Sequence, residues 1–501
     1  MYKKVEIEMI PINFFDWRAG EDLSSENRWV KLAKIIPWAE FEDEYAKLFS
    51  STEGAVAKPF RMALGALIIK EKLKISDRET VEQIRENPYL QYFIGLLSYT
   101  NEPPFEASTM VNFRERITLE LVNKINKSIV LKELEKKEEK EDKLSEVEKE
   151  NKGKMMSDAT CVPIDITYPT DIGLLNKARE TTEKIIDKLY KPLKEKLVKK
   201  PRTYRIKARK EYLKVAKKKK ISTKERRKGI RKQLQYLRRN LLHIEKLISL
   251  GAELEWLNKN EEKKLETIKK LYEQQLYMYE NKKKSVEKRI VSLHQPHVRP
   301  IIRGKASKKV EFGAKISVIY QERFILLERI EWENYNEGED LIEQIERYKK
   351  NTRYYPESVH VDKIYRNRKN RAYCKKHGIR MSGPPLGRPP KNISVEQKKQ
   401  AHEDECIRSA IEGKFGQGKR RYGLDLIKMK RSDTAETAIA ISCLVINLNT
   451  IIKSILSFIF YHFSVKKSNY LDLMIRENYQ YQLLLKNRVI LKNKLFREKI
   501  V

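Results

Sequence analysis

"MMSDATCVPIDI", residues 155 to 166, decides the fold. Met, Ala, Thr, Val and Ile dominate it, and such residues favour an extended strand beginning near Met155. An acid, Asp158, sits inside the run. The chain changes character on both sides of this stretch.

Upstream, residues 132 to 154 carry charges of both signs and few apolar side chains, and read as a charged linker, either a solvated helix or a disordered segment. Before that, residues 27 to 131 read as short helices. "KPFRMALGALIIKEKL" has helical apolar spacing, and Ser76 with Glu79 forms a capping box for a helix that should stop at Asn87–Pro88. "YLQYFIGL" and "STMVNFRERI" suggest two more helices, the last carrying Arg114 and Arg116. A three-helix arrangement with a basic final helix suits a helix-turn-helix contact with DNA, so residues 1 to 131 are taken as an all-α, DNA-binding domain.

Downstream, residues 177 to 290 hold 38 Lys and Arg against 15 Asp and Glu. Nearly two thirds of the chain's net charge of +36 therefore lies in fewer than a quarter of its 501 residues. Leucines at helical spacing in "YLRRNLLHIEKLISLGAELEWL" and a turn near Gly251 mark a helical insertion, and its charge would attract phosphates.

The strand pattern resumes at "KKVEFGAKISVIYQERFILLERIEWE", where apolar runs at 312 to 320 and 323 to 330 suggest paired strands. "EGEDLIEQIERYKKN" is an amphipathic helix with Leu341, Ile342 and Ile345 on one side. "PESVHVDKIY" is a short strand ending at Asp362, "NRKNRAYCKKHGI" a helix, "SGPPLGRPPK" a loop and "VEQKKQAHEDECIRSAIEGKF" a further helix. This order predicts an α/β domain, a mixed sheet covered by helices, formed by residues 155 to 176 and 291 to 450, with a helical tail over 451 to 501.

The excess of Lys and Arg calls for a polyanionic partner, and nucleic acid is the commonest. Cys161, Cys374, Cys406 and Cys443 are too far apart in sequence for a C-x-x-C pair and read as buried free thiols in a reducing cytosol, hence a cytoplasmic protein. The stretch 438 to 463 is long enough to span a bilayer, but Asn447, Asn449 and Lys453 interrupt it, so it reads as buried helix and no membrane is expected.

Three acids stand on separate elements: Asp158 on the first strand, Asp362 at the end of a later one, and Glu412 on a late helix. Hard oxygen ligands suit Mg²⁺, and two such ions about 3.5–4 Å apart can serve phosphoryl transfer. Nearby acids compete: Asp165 and Asp171 with Asp158, and Glu403, Asp404 and Glu405 with Glu412. On a continuous strand Asp158 and Asp165 face opposite sides, so only one joins the site easily.

Around Glu412, "AIEGKFGQGKRRYGL" places Gly413, Gly418 and Lys419 at phosphate-loop spacing. The residues before it are polar and helical, and Arg420 replaces the hydroxyl such a loop requires, so no nucleotide cofactor is expected. Gly413 and Gly416 would instead admit a DNA backbone, with Lys414, Lys419, Arg420 and Arg421 as phosphate clamps and a helix break near Gly413. Arg299, Arg303, Lys305, Lys363 and Arg366 are further candidates for phosphate contact. The pairs His294/His297 and His402/Cys406 do not complete a zinc set.

Taken in order, "SDAT", "YPTDIGLLNKARE", "VRPIIRGKASKKVEFGAK", "YNEGEDL", "VDKIYRNRKNR", "GIRMSGPPLGRPPK" and "AIEGKFGQGKRRYGL" resemble a bacterial insertion-sequence transposase of the DDE type. "IPWAEFEDEYAKLFS", "SDRETVEQIRENPYLQYFIGL" and "STMVNFRERI" extend the resemblance to the N-terminal part. It implies a ribonuclease H-like catalytic domain with Asp158, Asp362 and Glu412 as the acidic triad, binding two Mg²⁺ or Mn²⁺ ions. It also implies an N-terminal domain that helps recognise transposon ends, double-stranded DNA as both end and target substrate, and a homo-oligomer on DNA. A nuclease without strand transfer and a non-catalytic DNA-binding relic are the alternatives.

Overall fold

In the computed structural model, which describes residues 23–50, 55–141, 151–197, 199–302, 310–384, 387 and 394–455, the stretch from Met155 is a strand, β1 (Lys154–Pro163). Among the described residues, seven helices precede it: α1 (Arg28–Ile35), α2 (Trp38–Ala46), α3 (Phe60–Leu73), α4 (Asp77–Glu86), α5 (Pro88–Phe93), α6 (Thr109–Arg116) and α7 (Leu119–Glu141). Ser76 caps α4 by accepting from the Glu79 amide, and Asn87 ends α4 and starts α5, with Pro88 at the first helical position. Residues 132 to 141 take the helical one of the two expected forms and continue α7, with Leu134 buried on the same side as Val130. Residues 142 to 150 lie outside the described residues.

After β1 come the helices of the insertion: α8 (Asp171–Tyr190), α9 (Arg205–Ala216), α10 (Thr223–Ser249) and α11 (Lys259–Glu280). The insertion begins at Asp171, six residues earlier than its charge suggests, since Thr170 caps α8 by accepting from the Gly173 amide. It has an apolar core of its own, with Leu175, Ile186, Leu237, Ile244 and Ile268.

The chain then returns to the sheet through β2 (Arg299–Ile302), β3 (Val310–Gln321) and β4 (Phe324–Glu331), followed by α12 (Leu341–Thr352), β5 (Ser358–Val361), α13 (Arg368–Lys376), β6 (Arg380–Met381) and α14 (Val395–Arg421). A final helix, α15, spans Ser432–Ile455. Strand order is β2-β3-β1-β5-β6, with β4 also on β3. β1 runs antiparallel to β3 and parallel to β5, and β5 is parallel to β6. Without the short β2, the strands lie in chain order third, second, first, fourth, fifth, the ribonuclease H-like mixed sheet that the resemblance implies. Gly313 of β3 is required by the pairing: a β-carbon there would lie 2.0 Å from the Val162 carbonyl oxygen. The strands β2 and β6 were not anticipated; four and two residues long, they carry too little pattern to read.

One continuous apolar core runs from Trp29, Phe60 and Ile68 in the N-terminal helices, through Met156 and Val318 of the sheet, to Ile439 and Leu444 of α15. The opposite face of the sheet packs Met155, Ile319 and Val359 against Ile345 of α12. Most of α15 is buried, 78% of its most apolar window. Asn447, a costly residue in lipid, is satisfied by protein: it accepts from the Ile325 amide at 2.9 Å and donates to the Ile325 carbonyl at 2.7 Å and to Asn126 Oδ1 at 2.8 Å. The tail from 456 to 501 lies outside the described residues. Of the four cysteines, Cys161, Cys374 and Cys443 are buried, whereas Cys406 is exposed, because it lies on the outer surface of α14.

Candidate active site

Alternation along β1 sorts its side chains between the two faces. Met155 and Ser157 face α12, where Ser157 donates to Gln344 Oε1 at 2.5 Å. Asp158 and Thr160 bracket the other side, and Lys419 of α14 donates to Thr160 Oγ1 at 3.0 Å. Asp362 follows β5 directly, and its carboxylate accepts from the Lys363 amide at 2.7 Å. Since β5 is the parallel neighbour of β1, the two acids approach from adjacent strands. α14 then crosses β1 and β5. A cavity of about 540 Å³ results, lined by Asp158, Asp362 and Glu412 together with Glu337, Arg408 and Lys419.

The electrostatics are uneven. Burial pushes the Asp158 carboxyl up to about 6; Glu337 and Asp362 push the same way, while the Ala159 amide and the charge of Arg408 oppose them. Glu412 is more than half exposed and pairs with Arg408 at 3.0 Å, one helical turn earlier. Arg408 also binds Glu405, and that bond is the largest influence holding its guanidinium firmly charged. Among the described residues, no three of His, Cys, Asp or Glu stand ready-grouped around one ion. The three carboxylates nevertheless suit a hard divalent cation: they offer oxygen donors, burial pushes one of them up to about 6, and a cation beside it would favour its charged form.

Three of the competing acids lie away from the cavity. Asp171 pairs with Arg289 at 2.7 Å. Asp165 follows the end of β1 and lines a different cavity, near Tyr168 and His294. Asp404 takes both arms of Arg380 at 2.8 Å and lies 3.6 Å from His360, tying α14 to β5 and β6.

The basic candidates divide. Lys419 reaches the cavity, and Lys363 is exposed beside Asp362. Arg420 and Arg421 are exposed in the last turn of α14, which runs unbroken through Gly413, contrary to the expected break. Gly413 is open to solvent, whereas Gly418 is a packing residue: a β-carbon there would lie 2.7 Å from Leu424. Other positions are committed to structure. Arg114 is 6% exposed and makes a two-armed bond to Asp77, at 3.0 and 2.6 Å, so it joins α6 to α4 and is not available to DNA. Arg116 donates to the Leu48 carbonyl at 2.8 Å and covers the Phe49 ring, yet stays exposed. Lys414 points away from the cavity and donates to Thr450 Oγ1 of α15 at 2.6 Å, with burial pulling it down to about 8. Arg366 is tied to the Val361 carbonyl, and Arg299 to the Pro296 carbonyl. Arg303 and Lys305 lie outside the described residues. Of the histidines, His297 packs edge-on against Trp332, and burial pulls it down to about 4.

Sequence reasoning missed Glu337 and Arg408. Glu337 lies in "YNEGEDL", and its carboxylate pairs with Lys315 at 2.8 Å. For Arg408 a signal existed: its spacing from Glu412 is four residues, ion-pair distance on a helix.

Residues 359–449 match the family described as transposase DDE domain, and residues 18–116 match the family described as transposase domain (DUF772). An uncharacterised protein, ORF8 in the nfe locus of Rhizobium meliloti, is 33% identical over 149 residues, 30% of this chain and 68% of the relative. No solved structure matches at a significant level. The chain belongs to the insertion-sequence DDE transposases. Its substrate is therefore DNA and its kind of activity DNA cleavage.

Proposed function

We propose that the protein cuts DNA at the ends of its element and joins the freed strand to target DNA, with Asp158, Asp362 and Glu412 as the metal-binding carboxylates. The observation that carries this reading is the meeting of these three acids, 254 residues apart from first to last, at one cavity. Two Mg²⁺ or Mn²⁺ ions held there would supply charge for the attacking and leaving oxygens of phosphoryl transfer.

The chain's own contribution is positional. The parallel pair β1 and β5 fixes Asp158 and Asp362 on rigid backbone. Glu412 sits on a helix surface and reaches the other two acids by turning away from Arg408. Arg408, released from that bond, and Lys419 then offer positive charge to the scissile phosphate. The protein acts as a homo-oligomer holding two ends, in the cytoplasm with the chromosomal DNA. The test is incubation with Mg²⁺ and the flanking genomic DNA, with cut and joined strands mapped. Asp362→Asn should lower cleavage at least ~100-fold while binding to end DNA persists. Undiminished cleavage removes the assignment, and cut DNA without joined product makes the protein a nuclease instead.

A further inference from the structure

Within the insertion, positive charge is concentrated on two helices. Residues 202 to 232 hold sixteen Lys and Arg against two glutamates, Glu211 and Glu225, and both of these are already paired with lysines. The neighbouring helix α11 is a control supplied by the fold: five lysines and five glutamates, in balance. Solubility would be served by the α11 pattern, so the excess on α9 and α10 needs another cause.

On α10 the excess is ordered. Lys224, Lys228, Arg231 and Arg238 recur at spacings of four, three and seven, which puts them within roughly 80° of arc on an α-helix. All four are exposed, and none forms an ion pair with a described carboxylate. The opposite face of α10 is buried: Leu234, Leu237, Leu241 and Ile244 pack into the insertion core. Asn240 donates to Thr182 of α8 at 3.0 Å, and Gln233 donates to the Ala208 carbonyl of α9 at 3.0 Å. The stripe is therefore held in place before any partner arrives. Its length from Lys224 to Arg238 is about 21 Å at 1.5 Å per residue, the run of roughly six phosphates along one DNA strand at 3.4 Å each.

We infer that the exposed face of α10 is a second DNA surface, distinct from the carboxylate cavity, that grips the backbone of duplex DNA without reading its sequence. Cationic side chains dominate the stripe, with Gln235 the uncharged exposed residue inside its arc, so the main contact is with phosphate. The surface rests on the fold's charge distribution, and it stands whichever acids carry the chemistry.

The test uses the full chain in EDTA, so cleavage plays no part, and a duplex lacking the element's ends. A variant carrying Lys224→Gln, Lys228→Gln, Arg231→Gln and Arg238→Gln is compared with a control carrying Lys259→Gln, Lys263→Gln, Lys269→Gln and Lys270→Gln on α11. Each released phosphate contact contributes about 0.9 to the slope of log affinity against log salt. Between about 50 and 200 mM KCl, the α10 variant should show a slope shallower by about 2 to 4, and the control a slope within about 1 of wild type. Should the fourfold variant misfold, the pairs Lys224→Gln with Lys228→Gln and Arg231→Gln with Arg238→Gln should each give about half the change. An unchanged slope, or an equal loss in both variants, overturns the inference. So does loss of binding to phosphatidylserine vesicles with the duplex slope intact, which would make the face a membrane contact.

Discussion

Arg408 Nη1 lies 3.0 Å from Glu412 Oε1, so the helical acid of the candidate triad is paired with an arginine that also holds Glu405. The guanidinium stands in the field of Asp362 and Asp158 as well. Arg408 thus competes with any cation for the same carboxylate.

Removing that competitor should ease metal binding. In Arg408→Gln, the Mn²⁺ concentration that half-maximally raises the thermal midpoint should fall about threefold, a modest change because Glu412 is more than half exposed. Cleavage should fall at the same time, since a cation beside the scissile phosphate is lost. A metal midpoint that stays put or rises would show that Arg408 does not restrain Glu412.

Arg114 is predicted to matter for folding alone. Its two-armed bond to Asp77 is buried on the arginine side, and removing one member of such a pair leaves the other without a partner. Arg114→Met should cost about 1–3 kcal/mol in urea unfolding, while affinity for end DNA, measured well below the new midpoint, stays within about threefold. A loss of binding in a still-folded protein would restore Arg114 as a DNA contact.

Asn447 should be among the most sensitive positions of α15. Asn447→Leu keeps the volume but strips the Ile325 amide and Asn126 Oδ1 of their partner, while the Ile325 carbonyl keeps the Asn126 amide at 3.3 Å. The expected loss is about 2–4 kcal/mol. A variant as stable as wild type would mean that these groups find other partners.

The partly buried lysine Lys72 gives a pH signature. Burial pulls it down to about 8, and Arg28 and Lys453 act in the same direction. In the unfolded chain the group stays charged up to about 10.5, so the unfolded state binds more protons between these values and stability contributed by this site rises with pH there. Lys72→Met should therefore be more stable than wild type at pH 7, by about 1–3 kcal/mol, and the advantage should shrink from pH 8 to 10. An advantage independent of pH would assign it to packing instead.

Much of this molecule is legible from local pattern. The apolar run at Met155, the paired runs before Leu341 and the strand ending at Asp362 carry period and length enough to predict a mixed sheet, and the local surplus of charge marks the insertion. The cap at Ser76 and the helix stop at Asn87–Pro88 were readable for the same reason: both depend on residues a few positions apart. The basic residues were a different matter. Arg114 and Lys363 look alike in sequence, yet one is buried against Asp77 and the other lies exposed beside Asp362.

Sequence alone determined the longer elements, though not the short strands β2 and β6, and which acids lie at their ends, because those depend on neighbours within a few residues. Only the tertiary structure decided that β1, β5 and α14 bring Asp158, Asp362 and Glu412 to one cavity, that Glu337 and Arg408 share it, and that Lys414 turns toward α15. Charge and burial at a side chain are set by residues hundreds of positions away, and no local pattern carries that information.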